Sequence, residues 1–209
     1  YTITAMMLID RLGRRPLLGF GLAGIALCMF LLSYAFGSAT YTLPADADLP
    51  PGIDTAVLQD VLDVEYGSDV EFRAAVSAAI GAQAFREHES ALVGAAVDLD
   101  AALILFGILG FVASFAVSLG PVMWVLFSEL FPNQLRGMAI SFAGLINSAV
   151  SFGVQLVFPW ELENLGNALT FLIYGGFAVL GLLLLMRILP ETRGRSLEEL
   201  EDMLVGEGR

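Results

Sequence analysis

The chain has 209 residues, of which 57% are hydrophobic, a mean hydropathy of +0.77 and a net charge of −12. Soluble domains hold roughly 45–50% apolar residues, and here the excess is gathered into long, almost charge-free runs. A soluble bundle of buried helices would keep a polar face, yet Leu17 to Phe36 has no charged residue on any side.

In chain order, residues 1–9 read as the tail of a membrane span whose beginning is missing, which makes a fragment of a longer protein the expectation. No secretory cleavage site precedes the first full run, because residues 1–15 end in Arg-Leu-Gly-Arg-Arg. At Asp10 to Pro16 one span ends, turns and restarts. Gly13 tolerates the backbone angles of a tight turn, and Pro16 suits the first turn of a new helix. Four runs follow, at residues 16–36, 101–127, 138–159 and 168–189. Each is long enough to cross a hydrocarbon core of about 30 Å. The expected fold is therefore an all-α integral membrane protein with four full spans plus the tail of a fifth. Cys28, the one cysteine, lies inside a span and leaves no internal disulfide. No metal and no cofactor is expected.

Between the first two full spans, residues 37–100 form a long connection. Residues 38–100 carry twelve acids and only two arginines, Arg73 and Arg86. Pro44, Pro50, Pro51 and Gly52 open the connection as irregular chain. Residues 54–65 and 70–93 then read as helical, with Phe72, Val76, Ile80 and Phe85 about one turn apart. A small amphipathic hairpin over the outer mouth is expected, serving as a lid or partner surface, or as a solvated insertion with no transport role.

The other eight arginines fall before the first full span, between the second and third spans, and at or beyond the end of the fourth. Alternating spans put these short arginine-bearing segments on one side, which the positive-inside rule makes cytoplasmic. A multi-pass protein of the cell membrane with a cytoplasmic C-terminus is expected, with 191–209 as its tail. Its surroundings are the lipid bilayer, and no nucleic acid is expected as a partner.

Three places carry mechanism. Proline removes a backbone donor and clashes with the carbonyl four residues back, so Gly120-Pro121 must kink or open the second span. Within a membrane, freed carbonyls are tolerated where protein, water or a polar ligand meets them. Trp124 lies one turn further on. Its indole suits stacking on the C–H face of a sugar ring while its N–H bonds a hydroxyl; an interfacial belt tryptophan is the plainer alternative. Glu129 and Arg136 bracket a turn at Phe131-Pro132-Asn133, and Glu191 to Arg195 repeat that chemistry after the last span. Charged pairs at helix ends suit a gate that breaks and remakes, although a static salt bridge would have the same sequence. Asn147, a mid-span amide, is a candidate ligand donor, while Ser141, Gly144, Ser148 and Ser151 around it suit helix packing.

Together these residues resemble the sugar porter branch of the major facilitator superfamily. Its second half carries an acid-Arg-x-Gly-Arg-Arg turn, a Gly-Pro-x-x-Trp helix followed by Ser-Glu-x-Phe-Pro-x-x-x-Arg-Gly, and a closing Pro-Glu-Thr-x-Gly. The counterparts here are Asp10 to Arg15, Gly120 to Gly137 and Pro190 to Gly194. The resemblance implies the C-terminal part of a twelve-helix fold: residues 1–36 like the end of helix eight and helix nine, and 101–190 like helices ten to twelve. Residues 38–97 have no counterpart in that pattern. It also implies a monosaccharide or polyol as substrate, moved by alternating access with proton coupling, and an N-terminal half as partner. Trp124, Asn147, Phe115, Gly120 and Pro121 would line the substrate cavity. Asp10, Arg11, Arg14, Arg15, Glu129, Arg136, Glu191 and Arg193 would form the cytoplasmic gate. Two departures stand out. Ala116 replaces the glutamate of facilitative glucose carriers, as in proton-linked bacterial porters, and Ser148 replaces a tryptophan common to both groups. A carrier for a non-sugar solute, and a non-transporting sensor or truncated product, are the other readings. An enzyme is not expected, since no nucleophile–base set or phosphate loop is present.

Overall fold

Gly13 has a φ of 91°, a left-handed conformation that disfavours a side chain, and the first helix starts on the next residue. The computed structural model describes residues 13–47, 49–51, 53, 55–130 and 135–188, with the side chains of residues 14 and 127–130 outside that description. Helix α1 (Arg14–Gly37) holds Pro16 in its first turn, as the sequence predicts, and its 24 residues rise about 36 Å. Beyond the connection come α4 (Ala101–Val117), α5 (Leu119–Leu130), α6 (Arg136–Asn164) and α7 (Gly166–Ile188). Among the described residues four helical stretches are long and apolar enough to cross a membrane, with α4 and α5 counting as one.

One compact unit takes in Tyr1–Phe30, Gly107–Phe158 and Ile173–Arg209; the other takes in Leu31–Phe106 and Pro159–Leu172. In the first unit, α1 meets α4 and α7 through glycines. A Cβ at Gly24 would stand 2.5 Å from Ser114 Oγ, one at Gly110 2.8 Å from Cys28 Sγ, and one at Gly175 2.8 Å from the Phe30 ring. Small residues let helix backbones approach closely where lipid supplies no hydrophobic drive between helices. Leu17, Leu18, Val122 and Leu126 form the buried apolar cluster of this unit. Helix α6 differs from its neighbours, for none of its residues is buried.

In the second unit the connection folds on a core of its own. Its strands β1 (Thr40–Thr42), β2 (Glu65–Tyr66) and β3 (Val97–Asp98) form an antiparallel sheet in the order β2-β1-β3, with Tyr41 opposite both Tyr66 and Val97. Two helices, α2 (Asp69–Ile80) and α3 (Ala82–Ala96), form a hairpin around Gly81, so the stretch 70–93 expected as one helix is two. Ser68 caps α2 by accepting the Val70 N–H at 3.2 Å. Phe72 and Val76, one turn apart, are fully buried with Leu43, Leu58 and Leu92. The Phe72 ring lies 5.8 Å from both Tyr41 and Tyr66. Arg73 of α2 pairs with Glu89 of α3 across the hairpin.

Two expectations for this connection need correction. Residues 55–65 are not a helix: a 3-10 turn at Thr55–Val57 is followed by further turns, with Asp63 at a φ of 57°, before β2 begins. The turn's apolar neighbours Leu58 and Val61 supply the core without continuing a helix. The sheet was not expected, because strands of two or three residues are too short to show alternation.

The connection is fastened to the start of α7 by one carboxylate. Asp69, 7% exposed, accepts the Asn167 backbone N–H at 3.2 Å and its side-chain amide at 2.7 Å. The same carboxylate lies where a Cβ on Gly166 (φ 78°) would stand, 2.6 Å away, so glycine is required there. An anion at a helix N-terminus is favoured by the unpaired N–H groups and the helix dipole. Nearby, Ser33 Oγ donates to Ala168 O at 2.8 Å, and Phe36 stacks on Phe171 at 5.4 Å. Asp69→Ala is expected to lower the stability of this unit by about 1–2 kcal/mol. Amide hydrogen exchange of residues 69–98 reads the change; unaltered protection would mean the carboxylate fastens nothing.

Burial pushes the Tyr41 hydroxyl above its ordinary value of about 10; the Asp69 carboxylate adds to the rise and the Arg73 guanidinium opposes it. The folded state thus holds this proton more tightly than the unfolded chain. Its contribution is complete below about pH 10 and is lost as pH climbs through the higher folded value. An alkaline unfolding scan should show that loss, and Tyr41→Phe should flatten it; an identical scan for the variant would assign the loss elsewhere.

Candidate functional site

The second apolar run is broken where the proline acts rather than where it stands. Pro121 has no N–H for Val117 O, and its ring crowds that carbonyl. Helix α4 accordingly ends at Val117, and α5 restarts at Leu119, leaving Pro121 in its first turn. Ser118 fills the gap, 1% exposed, with its N–H 3.3 Å from Phe115 O and its carbonyl accepting the Val122 N–H at 3.0 Å. Its hydroxyl donates to Ser114 O at 2.6 Å. This bond from the Ser118 hydroxyl to the Ser114 carbonyl, one turn back, ties the break to α4. The sequence signal for it was a serine at 118, just before Gly120-Pro121.

The break gathers four of the five expected substrate residues, Phe115, Gly120, Pro121 and Trp124. Gly120 lies against Phe115, where a Cβ would come within 3.5 Å of its ring and 3.4 Å of its carbonyl. The Phe115 ring is half exposed and stacks on Phe111 at 6.5 Å. Trp124, on the turn after Pro121, is also half exposed. Its ring tip is 3.9 Å from where a Cβ would stand on Gly144 of α6. Asn147 is three residues further along α6, hence on the same side of that helix, and is exposed. Two aromatic surfaces, an opened backbone and an amide thus share the α4–α5 break and the adjoining stretch of α6. Aromatic faces suit C–H surfaces, and an amide both donates to and accepts from hydroxyls. Among the described residues no group of His, Cys, Asp and Glu could hold a metal ion.

The expected gate residues are described only in part. Asp10, Arg11, Glu191 and Arg193, and the turn at 131–133, lie outside the described residues. Arg14 opens α1 and Glu129 stands in the last turn of α5, with their side chains outside the description. Arg136 is the first residue of α6 and is half-buried. Arg15 meets a carbonyl rather than a carboxylate: its Nη2 donates to Met186 O near the C-terminus of α7. A cation there satisfies a helix-end carbonyl and the negative end of the dipole.

A family model described as "Sugar (and other) transporter" matches residues 1–46 and 74–204. The D-xylose-proton symporter of Escherichia coli K12 is 30% identical over 207 residues, covering 96% of this chain and 30% of that protein. The facilitated glucose transporter member 10 of solute carrier family 2 from Mus musculus is 32% identical over 224 residues, covering 96% and 41%. Among solved structures, an inward open conformation of the xylose transporter XylE from E. coli superposes with a TM-score of 0.62 at 29% identity, covering 97% of this chain and 33% of that one. The chain therefore spans well under half the length of these relatives. The family model matches the chain on both sides of the connection and leaves out 47–73.

Proposed function

The chain belongs to the sugar (and other) transporter family and carries the C-terminal part of the major facilitator twelve-helix fold, and from that premise we propose that it is part of a secondary carrier moving a monosaccharide or polyol by alternating access, coupled to protons. The observation that carries this reading is the α4–α5 break, with Phe115, Gly120 and Trp124 grouped around it beside Asn147 of α6. The solute lies there with a C–H face on the indole and its hydroxyls at the amide and the opened backbone, and an N-terminal half closes the other side. Symporters for D-xylose and arabinose among the relatives support a pentose-sized solute and the proton coupling.

In the same proposal the arginine-bearing ends are cytoplasmic, and Asp10, Arg11, Arg14, Arg15, Glu129, Arg136, Glu191 and Arg193 form the gate on that side. Residues 1–36 and 101–190 supply the spans, 37–100 the outer domain and 191–209 a cytoplasmic tail. Ser148, where the resemblance to the sugar porter branch implies a tryptophan, favours a second reading in which the same fold carries a different small solute.

Uptake of labelled pentoses, hexoses and inositol by cells making the full-length gene product tests the proposal. Saturable uptake of at least one, abolished by a protonophore, is expected. Normal membrane insertion with no uptake of any of them would refute a sugar or polyol as the solute.

A further inference from the structure

Away from the candidate site, α1 and α7 enclose a groove of about 710 Å³ lined by Arg15, Gly19, Phe20, Ala23, Leu183 and Met186, with Pro16 and Leu182 completing it. We propose that this groove is a binding site for one membrane phospholipid with an anionic head group, its phosphate at Arg15 and one acyl chain along Gly19 and Ala23.

Length, chemistry and charge agree on that occupant. From Arg15 to Ala23 the helix rises about 12 Å, close to the half-thickness of a hydrocarbon core of about 30 Å, so the groove runs the depth of one leaflet. Gly19 and Ala23, one turn apart, remove side-chain bulk from its floor, and Phe20, Leu183 and Met186 give it apolar walls. Everything below the rim suits an acyl chain, whereas a water-borne solute would find no polar partner there.

The rim is cationic. Arg15 uses Nη2 for Met186 O, and a guanidinium has five donors in a planar fork that matches phosphate oxygens. Arg187 is exposed in the last turn of α7, four residues after Leu183, and so stands on the groove side of that helix. Two guanidinium groups over an apolar slot one leaflet deep favour an anionic phospholipid over a zwitterionic one. The proposal holds whichever solute the carrier moves.

The test is native mass spectrometry of the full-length protein extracted into mild detergent, with an equal mixture of phosphatidylglycerol and phosphatidylcholine. Wild-type protein should retain phosphatidylglycerol about fivefold over phosphatidylcholine for each arginine engaged. Ala23→Phe fills the slot and should remove the retained lipid of both kinds, while Arg187→Gln should lower the preference about fivefold, leaving the share of Arg15, and Arg187→Lys should keep it in full. If Ala23→Phe does not fold, the Arg187 pair decides, because that side chain is exposed. Equal retention of both lipids by wild type, or an unchanged preference in Arg187→Gln, would overturn the proposal.

Discussion

Gly21→Val is expected to lower the amount of folded carrier in the membrane several-fold. A Cβ on Gly21 would occupy the space of Ser118 Cβ and Oγ and come within 3.3 Å of Ser114 O. Neither serine can retreat. Ser118 is the residue of the break, buried and tied to Ser114 O by its own hydroxyl, and Ser114 O belongs to the backbone of α4. Relief therefore requires α1 to move off α4 and α5, which would also undo the contacts at Gly24 and Gly110. Overpacking costs about 1–3 kcal/mol in cores that can adjust. With backbone in the way the upper end applies, about 3 kcal/mol, enough to shift a folding equilibrium roughly a hundredfold. The yield of monodisperse protein on size exclusion measures this, with Gly176→Ala as control because a Cβ there meets nothing within 4 Å. A wild-type yield from Gly21→Val would mean that α1 does not cross the break at this distance.

Trp124→Ala is expected to raise the KM for uptake about tenfold or more with the protein still in the membrane. Aromatic contact beyond simple burial contributes about 0.5–1.5 kcal/mol, and a hydrogen bond to a hydroxyl about 1 kcal/mol. Removing both from a bound solute gives that factor. Trp124 lies with its ring tip toward Gly144 of α6 and stays half exposed, so its loss leaves no fully buried cavity. Trp124→Phe should recover part of the affinity through its remaining ring face. Trp160, exposed toward the other end of α6, serves as control: Trp160→Ala should leave KM unchanged. Equal kinetics for wild type and Trp124→Ala would remove the indole from the site.

The spans were legible because bilayer length and charge exclusion act on every residue in them. The break was legible as a consequence of Pro121 but appears at Ser118, since proline acts on the carbonyl four residues upstream. Helix α2 followed from Phe72 and Val76 at helical spacing, but its separation from α3 at Gly81 did not. The sheet around Tyr41 did not, because its strands are too short to carry a period. The bond between Asp69 and Asn167 was equally hidden: 98 residues separate them, and Asp69 looks like any other acid in an acid-rich segment. Gly21 and Gly24 read as ordinary small residues of a span, and only the placement of Ser114 and Ser118 gives them a role. Arg15 was legible as a helix-end cation, but its partner, a main-chain carbonyl, leaves no trace in a side-chain pattern.

The central claim is that the solute sits at the α4–α5 break against α6, and substrate protection tests it most directly. In full-length protein freed of other reactive cysteines, with Cys28 replaced by alanine, Asn147→Cys is labelled with a membrane-impermeant thiol reagent. Labelling should occur, and a saturating concentration of the transported sugar should suppress it, while a sugar that is not transported should have no effect. Labelling that proceeds at the same rate with and without the transported sugar would contradict the account.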